Sequence, residues 1–227
     1  MRRFQVLDAW RTLAIVLMAA YHFLFDLYIF GVTGAETMFC TPLNVLERFI
    51  CCSFILLAGA SARFSRNNLR RGLTVLGAGL AVELGAAAAG QTIRWGVLML
   101  LGASMVLYHI LGKHLQKLPP AGLNLACAVL FFASKAWTEA AAVSVGWLYP
   151  LGFISPGFYS ADYFPLLPWF FLFLTGTALG GWCLAHRENR LLTVSLPGAL
   201  TWPGRHSLII YVLHQPVLYG ISYLIWR

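Results

Sequence analysis

Four ionisable side chains near the start of the chain have spacings that suit one face of a helix. Asp8, Arg11, His22 and Asp26 follow one another at intervals of 3, 11 and 4 residues. At about 100° per residue, eleven steps return to within about 20° of the starting face. In a helix, all four groups would lie on one stripe, with His22 about 16 Å along the axis from Arg11.

A histidine one helical turn from a carboxylate is a chemically useful pair. The carboxylate of Asp26 can fix the tautomer of His22 and raise its basicity, and a histidine held in this way serves as a general base or nucleophile. The same spacing is also found where two polar groups satisfy each other inside a helical bundle. From the spacing alone, a catalytic role and a structural role both stay open.

The segments that must position these groups are typical of an integral membrane protein. Of the 227 residues, 59% are hydrophobic and 11% are charged, whereas soluble domains carry about a quarter charged residues. A bilayer core of about 30 Å needs about 20 apolar residues per helix. Seven such runs lie near residues 12–30, 43–62, 72–90, 95–112, 121–138, 164–186 and 206–226. We therefore predict an all-α bundle of about seven transmembrane helices, forming a single domain over residues 1–227.

The distribution of basic residues predicts the orientation of the bundle. Twelve of the sixteen Lys and Arg residues fall in the predicted turns on one side: Arg2, Arg3, Arg11, Arg63, Arg66, Arg70, Arg71, Lys113, Lys117, Arg187, Arg190 and Arg205. Since positive loops stay in the cytoplasm, we expect a cytoplasmic N-terminus and an outward C-terminus. The stretch 140–157 is then an outer loop that dips or lies flat.

The short basic clusters do not form the continuous basic face of a nucleic-acid binder, and no nucleic-acid partner is expected.

Other polar residues are expected in the outer half of the membrane. Glu83 lies in the third predicted helix, Arg94 precedes the fourth and Asp162 precedes the sixth. They could surround one outward cavity and bind a substrate there, although Arg94 taken singly is better explained by interfacial snorkelling.

The last predicted helix carries a second mid-membrane histidine. His214 and Gln215 stand about two turns into this helix and are followed by Pro216, which can bend the helix so that both face the site, where they are expected to bind the substrate. A histidine satisfied by packing is the alternative. His206 and Ser207 stand at the cytoplasmic start of the same helix.

The five cysteines show no spacing suited to zinc, and no metal site is expected.

Several sequence blocks resemble one family of membrane enzymes. VLDAWRTLAIVLMAAYHFLFDL at 6–27 is similar to the opening helix of the acyltransferases related to heparan-α-glucosaminide N-acetyltransferase, and of the wider superfamily that includes bacterial polysaccharide O-acetyltransferases. Arg11 and His22 match the family's pattern of Arg, ten residues, His. Further blocks agree in order: SFILLAGAS at 53–61, IRWGVLMLLGAS at 93–104, SADYFPLLPWFFLFLTGTALG at 160–180 and GRHSLIIYVLHQP at 204–216.

The resemblance implies transfer of an acyl group, commonly acetyl, from cytoplasmic acyl-CoA to a hydroxyl or amine, often on a sugar presented at the outer face. His22 would be the catalytic base or the transient acyl carrier. Arg11 would hold a CoA phosphate or orient the donor, with Asp8 and Asp26 supporting these two residues. His206 and Ser207 are expected on the CoA side, and acetyl-CoA is the expected donor.

The resemblance also predicts a multi-pass protein of the bacterial cytoplasmic membrane. Its expected partners are the lipid bilayer, acyl-CoA and an extracytoplasmic glycan or other small acceptor, and assembly into a homo-oligomer is left open. Two other classes of function fit the polar stripe. A small transporter or flippase could use buried His and Asp residues as a proton relay, and a non-catalytic membrane partner could use them for helix packing alone.

Overall fold

The computed structural model describes residues 4–141 and 143–226. Within them the chain forms ten α-helices and one 3₁₀ helix, and no strand. The α-helices are α1 (Gln5–Ile29), α2 (Ala35–Met38), α3 (Thr41–Phe64), α4 (Asn68–Ala88), α5 (Val97–Leu115), α6 (Pro120–Ala140), α7 (Leu166–Ala185), α8 (Arg190–Thr193), α9 (Gly198–Arg205) and α10 (Ser207–Trp226).

Seven of these helices, α1, α3, α4, α5, α6, α7 and α10, are long and apolar enough to cross a membrane. The predicted all-helical fold with seven apolar spans is therefore confirmed. Arg2 and Arg3 of the charge argument, and Ala142 of the expected outer loop, lie outside the described residues. In the rest of that loop the chain forms the 3₁₀ helix Gly146–Leu151, which is too short to span a bilayer.

The chain divides into two compact units, and the boundary falls inside α3 after Phe54. The first unit holds residues 1–54 and 186–227, and the second holds residues 55–185.

In the first unit, α9 and α10 pack against α1. The backbone N–H of Gly204 donates to Thr12 Oγ1 at 2.9 Å, and a Cβ at Gly204 would collide with the backbone of Asp8. Glycine at this position therefore allows α9 to lie directly on the first turns of α1. Trp10 Nε1 donates to Ser53 Oγ at 3.2 Å, which ties α1 to the first half of α3.

In the second unit, α4 packs on α5 and α7 packs on α6. α4 begins after Asn67, whose side chain accepts from the backbone N–H of Arg70 at 2.9 Å and so caps the helix. α7 crosses the second half of α3 at Gly176 and Gly180, where any Cβ would meet the α3 backbone. Small residues permit this close approach between helices, as is common in membrane bundles.

Candidate active site

Helix α1 carries the predicted polar stripe over its full length. Asp8 lies in its first turn and Asp26 in its last, and both residues are buried, at 1% and 0% exposure. Arg11 and His22 are half-buried. All four residues belong to one continuous helix. Asp8 and Arg11 lie near its start, and His22 and Asp26 lie near its end.

His22 lies against a second histidine. Its Nδ1 atom is 3.1 Å from His214 Nε2 of α10, and the ring centroids are 4.8 Å apart at an interplanar angle of 61°. The same Nδ1 atom is 3.0 Å from the backbone oxygen of Met18. His214 Nδ1 is 2.6 Å from the backbone oxygen of Tyr211. The histidines of the first and last apolar helices thus form one hydrogen-bonded pair.

The carbonyl neighbours of this pair fix the tautomers of both rings. A carbonyl oxygen only accepts, so His214 Nδ1 must carry the hydrogen that it donates to Tyr211. In a neutral ring, His214 Nε2 is then an acceptor. His22 Nδ1 likewise carries a hydrogen, which it shares between Met18 and His214. The remaining ring nitrogen, His22 Nε2, is left with a free lone pair, as a base or nucleophile requires.

Asp26 contacts a different partner from the one that the spacing suggested. Gln215 Nε2 donates to Asp26 Oδ1 at 2.8 Å, and within the described part of the chain Asp26 makes no hydrogen bond with His22. The orientation of His22 therefore comes from Met18 and His214. Asp26 and Gln215 form a second link between α1 and α10, one helical turn along α1.

The other end of α1 holds a carboxylate between two arginines. Arg11 Nη1 lies 2.8 Å from Asp8 Oδ1, and Arg205 Nε, at the end of α9, lies 3.6 Å from Asp8 Oδ2. The side chains of Arg11 and Arg205 are 14% and 38% exposed, and that of Asp8 is 2% exposed. The buried carboxylate thus lies within salt-bridge distance of two guanidinium groups, and guanidinium groups bind phosphate well.

His206 and Ser207 follow Arg205 directly. The imidazole of His206 lies against Trp202, with centroids 4.5 Å apart, and His206 Nδ1 is 2.9 Å from the backbone oxygen of Trp202. Both rings are exposed. Ser207 is the first residue of α10. The structure thus brings the predicted cofactor residues Asp8, Arg11 and His206 to the junction of α1, α9 and α10.

The second unit contains the other predicted carboxylates, which bind backbone amides. Glu83 Oε1 accepts from the N–H groups of Trp95 and Gly96 at 2.6 and 3.3 Å. Asp162 Oδ2 accepts from Val97 N–H at 3.1 Å. Val97 is the first residue of α5 and Gly96 is its N-cap, and Trp95, directly before them, has a positive φ of 58°. Glu83 and Asp162 therefore cap α5 and satisfy N–H groups that a helix leaves unpaired.

Arg94 and Tyr163 complete this junction between the segments that precede α5 and α7. Ser160 Oγ accepts from the backbone N–H of Arg94 at 2.9 Å, and the side chain of Arg94 is exposed. Burial, and more weakly the neighbouring Tyr149, raise the pKa of Tyr163 to about 12. Tyr163 therefore keeps its proton and donates to the backbone oxygen of Tyr149 at 2.7 Å.

Sequence reasoning missed Arg205 as a partner of Asp8, and it missed the contact between His22 and His214. The sequence identifies Arg205 only as one of the basic loop residues. The Gly204-Arg205 pair just before the last helix could have indicated the contact with Asp8. The positions of His22 and His214, at similar depths in the first and last predicted spans, could have indicated the contact between the histidines.

Comparison with known proteins identifies the family. No curated protein and no solved structure matches the chain. The model of the family described as "Heparan-alpha-glucosaminide N-acetyltransferase, catalytic" matches residues 3–216, which include both ends of the polar stripe and the His22–His214 pair. The chain therefore belongs to the heparan-alpha-glucosaminide N-acetyltransferase family of membrane acetyltransferases.

Proposed function

We propose that this protein transfers an acetyl group from acetyl-CoA in the cytoplasm to a hydroxyl or amine of a sugar-like acceptor that arrives from the opposite face of the membrane. His22 Nε2 is the reacting base or acyl carrier. The observation that carries the proposal is the hydrogen-bonded pair of histidines, which leaves this nitrogen unprotonated while Nδ1 is held by two acceptors.

The chemistry at His22 can follow either of two routes. As a general base, Nε2 takes the proton of the acceptor O–H or N–H while the acceptor oxygen or nitrogen attacks the thioester carbonyl. The C–S bond then breaks, and the imidazolium returns the proton to the leaving CoA thiolate. As a nucleophile, Nε2 itself attacks the thioester carbonyl, the C–S bond breaks and CoA leaves as the thiolate. The acceptor oxygen or nitrogen then attacks the acetyl group on Nε2, its proton passes to the thiolate, and the free imidazole is regenerated.

His214 supports both routes. In each of them His22 gains positive charge, and its Nδ1–H then donates more strongly to His214 Nε2. The neutral second imidazole therefore stabilises the charged ring and fixes its direction. We assign His214 this supporting role, in place of direct contact with the acceptor.

The donor end is the cluster of Asp8, Arg11 and Arg205. Two guanidinium groups beside one buried carboxylate suit the phosphates of CoA. About 16 Å of helix separates Arg11 from His22, a distance that the pantetheine arm of the donor would bridge. The excess of basic residues in the turns on this side supports its placement in the cytoplasm, which we propose to be that of a bacterial cell.

The roles of Glu83, Arg94 and Asp162 in acceptor binding stay a prediction. Both carboxylates accept from backbone amides in the second unit. This arrangement supports a structural role at the start of α5, and leaves the exposed guanidinium of Arg94 as the better acceptor-binding candidate of the three.

The proposal is tested with purified protein in detergent or nanodiscs. Acetyl-CoA labelled in the acetyl group is mixed with a panel of hexoses and hexosamines, and label is counted in the sugar fraction. We expect transfer that depends on the protein, and a thermal shift with acetyl-CoA alone. A transporter or flippase would instead move solute in vesicles without acetyl-CoA, and a packing partner would show neither effect. Either of these results would reject the proposal.

A further inference from the structure

Asp26 is a fully buried carboxyl group with one hydrogen bond. Gln215 Nε2 donates to its Oδ1 atom at 2.8 Å, and its Oδ2 atom is buried without a partner. Among residues 4–141 and 143–226, no Lys, Arg or His forms an ion pair with it. A carboxylate ion here would lose its hydration and gain only one donor, which is an expensive state at membrane depth.

The side chain of Gln215 also has a buried atom without a hydrogen-bond partner. Its Nε2 atom donates to Asp26, but its amide oxygen, Oε1, is buried and accepts nothing. An amide oxygen can only accept, so it lacks a donor. The two buried atoms without a hydrogen-bond partner are thus Asp26 Oδ2 and Gln215 Oε1, and they belong to side chains that already share one hydrogen bond.

One proton on Asp26 satisfies both atoms. We propose that Asp26 is a neutral carboxylic acid that forms a closed pair with Gln215: Gln215 Nε2–H donates to Asp26 Oδ1, and Asp26 Oδ2–H donates to Gln215 Oε1. Both groups are planar and present two polar atoms on one edge, so they are complementary in shape. The pair carries no net charge, which suits a buried position between two membrane helices.

The pair positions the two histidines. Gln215 follows His214 directly on α10, and Asp26 lies one turn beyond His22 on α1. A rigid link between Asp26 and Gln215 therefore sets the distance at which His214 Nε2 meets His22 Nδ1. Asp26 is in this view a positioning residue, and it takes no proton from His22. Only this catalytic consequence rests on the proposed function, since the pair itself rests on the contacts.

Variants at Asp26 separate the neutral pair from a catalytic carboxylate. Asp26→Ala removes both hydrogen bonds. We expect the rate of acetyl transfer to fall by about tenfold or more, because the loss of two buried hydrogen bonds has an energetic cost of this size. Asp26→Asn keeps both, since its Nδ2 donates to Gln215 Oε1, and should restore most of what Asp26→Ala loses. The double variant Asp26→Asn/Gln215→Glu exchanges the acid and the amide and should also restore transfer. If Asp26→Asn transfers no better than Asp26→Ala, the pair is wrong.

A spectroscopic readout is independent of enzyme activity. Infrared spectra of the purified protein at neutral pH should contain the carbonyl band of a protonated carboxyl group. This band should disappear in Asp26→Asn and persist in Glu36→Gln, which removes an exposed carboxylate. Absence of the band in the wild-type protein overturns the proposal even if acetyl transfer is robust. Presence of the band in a protein without transfer would reject the proposed function and leave the pair standing.

Discussion

His22 Nδ1 and His214 Nε2 lie 3.1 Å apart, although 192 residues separate them in the chain. The contact joins α1 and α10 at the imidazole for which we propose the catalytic role. Because the carbonyl of Met18 also lies 3.0 Å from His22 Nδ1, the ring is held by two acceptors, and Nε2 keeps its lone pair.

Removal of the second imidazole should slow the reaction without abolishing it. In His214→Ala, the charged form of His22 loses one acceptor, and a hydrogen bond to a charged group contributes about 1.5–3 kcal/mol. We expect kcat to fall by about one to two orders of magnitude, with KM for acetyl-CoA little changed. His214→Gln, whose amide oxygen can accept from His22, should lose less. A His214→Ala enzyme with wild-type kcat would show that the contact has no catalytic role.

The two arginines at Asp8 should act on donor binding. Arg205→Ala should raise KM for acetyl-CoA by about tenfold, because a charge-assisted hydrogen bond contributes about 1.5–3 kcal/mol and tenfold corresponds to about 1.4 kcal/mol. Arg205 is partly exposed, so solvent screening favours the lower end of this range. Steady-state kinetics at varied acetyl-CoA measure the effect.

The matched control for this prediction is Arg190→Ala. Arg190 is an exposed arginine at the start of α8, so its removal changes the net charge equally but leaves the Asp8 cluster intact. If both variants raise KM to the same extent, the effect is one of overall charge, and the Asp8 cluster is not the donor site.

The capping carboxylates of α5 should contribute to stability. Glu83→Ala leaves the amides of Trp95 and Gly96 without their acceptor, and loss of a helix cap costs about 0.5–2 kcal/mol. We expect a lower melting temperature in detergent for Glu83→Ala and for Asp162→Ala. A rise in KM for the acceptor sugar at an unchanged melting temperature would instead support direct acceptor binding by these residues.

The sequence predicted the membrane helices well and their ends less well. The first span was expected from residue 12, but α1 begins at Gln5. Asp8 and Arg11 lower the local hydropathy, yet the helix continues through them because the two charges neutralise each other. Similarly, α4 begins at Asn68 before a pair of arginines, because the side chain of Asn67 caps it. Hydropathy does not register a paired charge or a cap.

Within the candidate site, the sequence predicted the stripe and missed its partners. Helical periodicity shows which residues of α1 share a face, and that part is confirmed by the continuous helix. It pairs Asp26 with His22, which are neighbours on that face. The structure pairs Asp26 with Gln215 and His22 with His214. Contacts between helices depend on register and packing, which periodicity within one segment does not contain.

The orientation of the chain can be tested with reporter fusions. Alkaline phosphatase fused after residue 227 should be active, because we expect the C-terminus outside the cytoplasm, and the same enzyme fused after Glu188 should be inactive. The reverse pattern would place the cluster of Asp8, Arg11 and Arg205 on the outer side of the membrane, where cytoplasmic acetyl-CoA could not reach it.

The central claim is that His22 Nε2 does the chemistry, and the initial rate of labelled acetyl transfer by His22→Ala tests it most directly. The matched control is His109→Ala, which removes an exposed histidine of α5. A positioned base contributes about 10²- to 10⁴-fold, so we expect the His22→Ala rate to fall by at least about 10²-fold while His109→Ala stays near wild type. Transfer by His22→Ala at the rate of the control would contradict the claim.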